Sequence, residues 1–229
     1  MKRRPVRQRS RGLTLLEVML ACAIMAIMMT LAWRTITSTA NASRQFQAYE
    51  ERNHELRLAM TRMVMDFEHA YLSRNEDQTQ SHPRTMFVAK AGTFPDVRFS
   101  TLGHRILWGE ANESEQTVIS YVTRASPDHP GETDLIRSEQ RRLSNEPPED
   151  EPAEYDVLCS RADSLKLEYW DWKSVEWQDT WDTTQGDGEK NTLPGRVRIT
   201  LTVKDGQGEP YKLTTEARIL MQEPLQFVQ

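Results

Sequence analysis

The residues from Leu13 to Trp33, LTLLEVMLACAIMAIMMTLAW, constrain this chain more than any others, because only Thr14, Glu17 and Thr30 among them are polar. As a helix rising about 1.5 Å per residue they cover about 31 Å, the thickness of a bilayer's hydrocarbon layer. Ahead of them Lys2, Arg3, Arg4, Arg7, Arg9 and Arg11 carry six positive charges, with no negative one before Gly12. That asymmetry favours an N-terminus held in the cytoplasm. A cleaved secretory signal would have an apolar core of only about 7 to 15 residues ending at a small-residue cleavage site, and this run is too long.

The rest of the chain is hydrophilic, so at most one segment spans and one folded domain of ordinary size follows it. Without the first twelve residues the net charge of −5 becomes −11. Such acidity argues against a nucleic-acid partner, which needs a surplus of Lys and Arg. The two cysteines, Cys22 in the apolar run and Cys159 far downstream, lie too far apart in character to form a disulfide framework. Cys159, in the apolar context YDVLCSRA, reads as a buried, unreactive thiol.

A plain membrane anchor accounts for everything except Glu17. An ionised side chain in hydrocarbon costs about 2.5 to 3.5 kcal/mol on insertion scales. The segment MLAC, Met19 to Cys22, is similar to a lipoprotein box, but the apolar run continues eleven residues beyond Cys22. The segment RGLTLLEVMLACAI, Arg11 to Ile24, resembles the type III prepilin signal of type IV pilins and type II secretion pseudopilins. That resemblance implies cleavage after Gly12 by a membrane-embedded prepilin peptidase, methylation of the new N-terminus at Leu13, and an assembly role for Glu17 at the fifth mature position. Leu13 stands where the family most often has Phe. The spacing of Leu13 and Glu17 puts amine and carboxylate on one helix face. In the family's filament the carboxylate pairs with the amine of a neighbouring subunit. A buried charge left alone is destabilising by about 3 to 5 kcal/mol, so the pair also sets register.

Beyond Trp33 no Pro or Gly occurs until Pro83. Phe46, Tyr49, Leu56, Met60, Met63, Phe67 and Tyr71 recur mostly at steps of three and four, with Asn53 in one gap, which predicts an amphipathic continuation of the helix to Leu72. Glu50, Glu51, Arg52, Glu55, Arg57, Arg62 and Glu68 form the solvated face, and Met60, Met63 and Met65 read as core filling. Strands are predicted at Thr85–Lys90, Asp96–Thr101, Arg105–Gly109, Thr117–Arg124, Asp134–Arg141, Ser164–Trp172, Arg196–Lys204 and Tyr211–Leu220. The last two alternate strictly across DGQGEP and form a hairpin. The acidic, Pro-rich NEPPEDEPAE, Asn145 to Glu154, is an exposed loop.

The order of DVRFST, VISYVTR, DLIRSEQR, and LKLEYWDWKSVEWQDTWDTT ahead of LPGRVRITLTV resembles the J-type minor pseudopilin of type II secretion systems. In that family an aromatic-rich strand and a Trp-containing loop precede Leu-Pro, here Leu193-Pro194. The resemblance implies an α+β, pilin-like fold, with a long N-terminal helix, membrane-spanning in its first half, packed on an antiparallel β-sheet head. Its parts would be a leader over 1–12, a membrane half over 13–33, an amphipathic periplasmic half over 34–72 and a β-rich head over 73–229. It further implies residence in the bacterial inner membrane, prepilin peptidase as processing enzyme, and I-type, K-type, H-type and major G-type pseudopilins as partners. The related alternatives are a minor pilin of a type IV pilus or competence pseudopilus. From another class comes a membrane-anchored periplasmic enzyme or binding protein.

Tyr169, Trp170, Trp172, Trp177 and Trp181 invite three readings: core, subunit interface, or a carbohydrate or peptide platform. Trp170 and Trp172 share one strand face and Tyr169 takes the other. Asp179, Asp182, Asp187 and Glu189 sit in a glycine-containing segment and are candidate calcium ligands, but their spacing is not that of an EF-hand and favours a solvated turn. No cofactor is otherwise expected. His54, His69, His82, His104 and His129 form no metal-binding pair, and no nucleophile elbow, phosphate loop or dinucleotide fingerprint occurs. Nothing nominates a catalytic residue, and the expected role is structural rather than enzymatic.

Overall fold

A computed structural model describes residues 14–75, 83–104, 114–141, 143, 153–185, 191–204 and 210–226. One helix, α1 (Leu15–Glu68), precedes β1 (Phe87–Lys90), β2 (Asp96–Thr101), β3 (Thr117–Ala125), β4 (Thr133–Gln140) and β5 (Glu154–Cys159). Then follow β6 (Ala162–Asp171), β7 (Glu176–Gln178), β8 (Trp181–Asp182), β9 (Arg196–Lys204) and β10 (Pro210–Arg218). The chain divides into two compact units, one ending at Glu51 and the other beginning at Arg52.

In the first unit the large apolar side chains Leu15, Leu16, Met19, Leu20, Met28 and Trp33 of α1 are solvent-facing. Among the described residues, α1 is the one helix long and apolar enough to cross a membrane, and none of its apolar window is buried. Phe46 and Tyr49 remain 63% and 58% exposed, so the apolar stripe predicted from Phe46 is covered only from Leu56 onward.

In the second unit Leu56, Ala59, Met60, Met63 and Phe67 lie at steps of three and four and are buried against two antiparallel sheets. The larger has the order β5-β4-β3-β2-β1-β8 and the smaller β10-β9-β6-β7. The Phe67 ring stacks on Phe99 at 4.6 Å, and the edge of Tyr121 meets it at 5.8 Å. Tyr169 of the smaller sheet meets Phe87 of the larger edge-on at 5.6 Å. Helix and both sheets thus share one aromatic centre, each such ring contributing about 1.5 to 3 kcal/mol by burial.

The helix ends at Glu68, four residues before the predicted Leu72, although no Pro or Gly stops it. Sheet pairing wins there. The Ala70 N–H donates to the Phe67 carbonyl in a tightened turn, and the Tyr71 N–H donates to the Ser100 carbonyl at 3.1 Å. Residues near the other end of the chain complete the junction. The Leu220 N–H donates to the Glu68 carbonyl (3.1 Å), the Leu225 N–H to Leu72 (2.7 Å), and the Arg74 N–H to Leu225 (2.8 Å).

The predicted hairpin pairs Lys204 with Pro210 and Arg196 with Arg218. Strand β2 has the predicted bounds; β1, β3, β4, β6 and β10 lie within two residues of theirs, while β5, β7 and β8 were not expected. Strand β5 opens at Glu154, the last residue of the expected acidic loop, whose remainder lies almost wholly outside the described residues, as does the expected strand Arg105–Gly109. Met60 and Met63 are core residues, but Met65 is 45% exposed.

Candidate assembly site

Gly12 and Leu13 lie outside the described residues. Glu17 is exposed in the first turn of α1 and is bonded to Thr14 in both directions. The Glu17 N–H donates to the Thr14 hydroxyl at 3.3 Å, and Glu17 Oε2 accepts the Thr14 N–H at 3.3 Å and its hydroxyl at 3.4 Å. This reciprocal arrangement is a capping box, T-x-x-E, satisfying backbone donors that a helix start otherwise leaves orphaned. The T-x-x-E pattern from Thr14 to Glu17 is legible in the sequence and gives the carboxylate this local role in capping the helix.

Charged residues of α1 fix the helix to the head at two places, and the first uses part of the face expected to be solvated. At Arg52 and Glu55 it clasps the turn between β5 and β6. Arg52 Nη2 donates to the Ser160 carbonyl at 2.8 Å, while Glu55 Oε1 accepts the Ser160 N–H and hydroxyl, each at 2.7 Å. Burial pushes the Glu55 carboxyl up, but the bonds from Ser160 and Arg52 outweigh it and hold the group below its ordinary range. Arg161, in this turn, has a left-handed φ of 47°, and its N–H is tied to Asp134 at 3.0 Å. Cys159 beside it is buried, and that burial raises its thiol to about 12.

Three turns further on, Asp66 enters a buried ionic cluster. Arg137 grips Asp66 with Nε at 2.7 Å and Nη2 at 3.0 Å, and its Nη1 reaches Glu139. Tyr121 donates its hydroxyl to Asp66 at 3.2 Å, and His104 Nδ1 lies 2.6 Å from Glu139. Asp66 and Arg137 are each only 2% exposed. Burial raises the Glu139 carboxyl, but Arg137 and His104 bring it below its ordinary range. Burial and the Asp66 charge keep Tyr121 well above a normal phenol.

The aromatic group divides between faces. Tyr169 and Trp181 are buried, the latter donating its indole N–H to the Thr192 carbonyl at 2.9 Å. Trp170 and Trp177 form a cross-strand pair on the outward face of the smaller sheet, 5.2 Å between centroids. Arg196 lies 5.3 Å from the Trp170 ring, and Arg198 lies 4.0 Å from Trp177. Guanidinium groups already occupy the ring faces a sugar would need, which argues against a carbohydrate platform.

Of the calcium candidates, Asp187 and Glu189 lie outside the described residues. Asp179 is solvent-facing with Lys166 at 3.7 Å, and Asp182 accepts bonds from the Thr184 N–H, its hydroxyl and the Gln185 amide. Among the described residues no three His, Cys, Asp or Glu side chains converge to hold a metal.

The family model for type II secretion system protein J matches residues 34–210, covering the helix from Arg34 onward and every strand up to the start of β10. The chain belongs to the type II secretion system protein J family. The prokaryotic N-terminal methylation motif matches residues 7–33, so its beginning overlaps the basic leader and its end reaches Trp33. No curated protein matches the chain. As a J-family member it is a minor pseudopilin, a structural part of secretion machinery that interacts with other pseudopilins. Its apolar N-terminal helix makes it a single-pass, membrane-anchored protein with a pilin-like α+β fold.

Proposed function

We propose that this protein belongs to the tip complex that initiates and caps the pseudopilus, with I-type and K-type minor pseudopilins as neighbours and H-type and major G-type subunits behind them. The observation that carries the reading is the J-family match over 34–210 running directly on from the methylation motif over 7–33. The six leader charges orient the helix with its N-terminus cytoplasmic and its head periplasmic, in the bacterial inner membrane. Prepilin peptidase cleaves after Gly12 and the amine of Leu13 is methylated. Glu17 then exchanges its bonds to Thr14 for the amine of an adjacent subunit. The work is association and displacement, which moves folded proteins across the outer membrane. No cofactor enters this scheme.

Mass spectrometry of the N-terminus of the native protein tests it. A methylated Leu13 is expected, and an intact leader would refute the filament role. Glu17→Gln is expected to leave the head folded and to abolish its co-purification with I-type and K-type partners from membranes. Undiminished recovery of both would remove Glu17 from assembly.

A further inference from the structure

The outward face of the smaller sheet carries an arrangement that neither the family assignment nor the core requires. Arg196 on β9 and Arg218 on β10 are direct cross-strand partners, so two guanidinium groups stand side by side on one face. Like charges placed so oppose each other. Glu216 serves Arg198 at 3.0 Å and Arg196 at 3.3 Å. Among the described residues Arg218 has no ion pair. The two arginines line a pocket of about 390 Å³ with Trp170, Trp172, Gly195 and Gln222. Gly195, whose missing side chain would stand 3.5 Å from Trp170 and 3.9 Å from the Gln222 amide nitrogen, leaves the floor open. Trp172 is 53% exposed, held out on a turn whose Lys173 and Ser174 N–H groups both donate to the Asp171 carboxylate.

We propose that this pocket is a docking site for an acidic side chain, Asp or Glu, on a segment of a partner protein. The carboxylate lies between Arg196 and Arg218, within reach of the Gln222 amide, and the aliphatic part of the segment rests on Trp172. Arg218 supplies the positive charge that no described side chain neutralises, and two parallel N–H groups of a guanidinium match a carboxylate in geometry. The tryptophan walls give more apolar contact than a bare anion uses, which assigns the carboxylate to a larger body. A nucleic acid is disfavoured by Glu216 and Glu168 on the same face and by the net charge of −5. The proposal stands whether or not the tip-complex reading does.

The test uses the full-length protein in detergent, tryptophan fluorescence as readout, and the acetylated, amidated peptide Gly-Glu-Leu-Glu-Gly as probe. Saturable binding that weakens on raising salt is expected, with at least a tenfold loss when both Glu are replaced by Gln. Arg218→Glu is expected to lose binding tenfold or more and to prefer the peptide with Lys in place of Glu. Its melting temperature should equal or exceed that of the parent, since the Arg196–Arg218 opposition is relieved. Trp172→Ala should lose binding with an unchanged fold. Equal binding of the Gln peptide, no saturable binding at all, or no effect of Arg218→Glu would overturn the proposal. So would full competition by inorganic phosphate at the peptide's own concentration, which would show a bare-anion site, or binding only of a peptide with a free C-terminal carboxylate.

Discussion

Replacing Arg137 by Met, which nearly keeps its volume, isolates the electrostatic consequence of the buried cluster. Arg137 makes two bonds to Asp66 and one to Glu139, and all three residues are buried. Once it is gone, two carboxylates are left with Arg62, which lies 3.4 Å from Asp66 and 3.9 Å from Glu139 but has a side chain 38% exposed, and with His104. Removing one partner of a buried pair costs about 3 to 5 kcal/mol, because the remaining charge loses both water and counter-charge. Domains of this size have only about 5 to 15 kcal/mol in total. The unfolding free energy of the full-length protein, read by urea titration in mild detergent with tryptophan fluorescence, is therefore expected to fall by about a fifth or more. Combining Arg137→Met with Asp66→Asn removes one charge of each sign and should recover about 2 kcal/mol relative to the sum of the single effects. A single variant within about 1 kcal/mol of the parent, or strict additivity in the pair, would refute the account of this cluster as mutually compensated charges.

The clasp and the ionic cluster make the head acid-sensitive. Because the folded-state values of Glu55 and Glu139 are depressed, their stabilisation is complete above the ordinary carboxylate range and is lost as pH falls through the lower folded values. Glu55→Gln should lower stability at pH 7 by about 0.5 to 1.5 kcal/mol and flatten the decline as pH falls below the ordinary carboxylate range, which denaturant titrations at several pH values will read. Cys159 should resist maleimide at pH 8 in the native protein and react on unfolding, since it is buried with a thiol raised to about 12. Trp181→Ala should cost about 3 to 5 kcal/mol, while Trp172→Ala should change the unfolding midpoint little, the two rings differing in burial.

The sequence was most informative where one physical requirement dominates. An unbroken apolar run made the start of α1 legible, strict alternation placed β9 to the residue, and β-branched and aromatic residues did the same for β2. Glu17 stood out because a carboxylate there costs so much without a partner. What stayed hidden depends on partners far along the chain. Arg52 and Glu55 look like any solvated helix face until Ser160, more than a hundred residues away, arrives beside them. Asp66 shows nothing of Arg137 for the same reason, and β7 and β8 are too short to carry a pattern of their own. The tryptophans could be assigned to a shared face by alternation, but which face met the core required the register with β9.

The bond from the Leu220 N–H to the Glu68 carbonyl has a consequence for timing. On a ribosome the end of α1 is made some 150 residues before the backbone group that satisfies its last turn, and Leu225 comes later still. The head therefore cannot close before Leu220 and Leu225 have been made, by which time the apolar start of α1 has long been exposed. A chain interrupted between β10 and Leu220 would hold both sheets and still leave the last turn of the helix open.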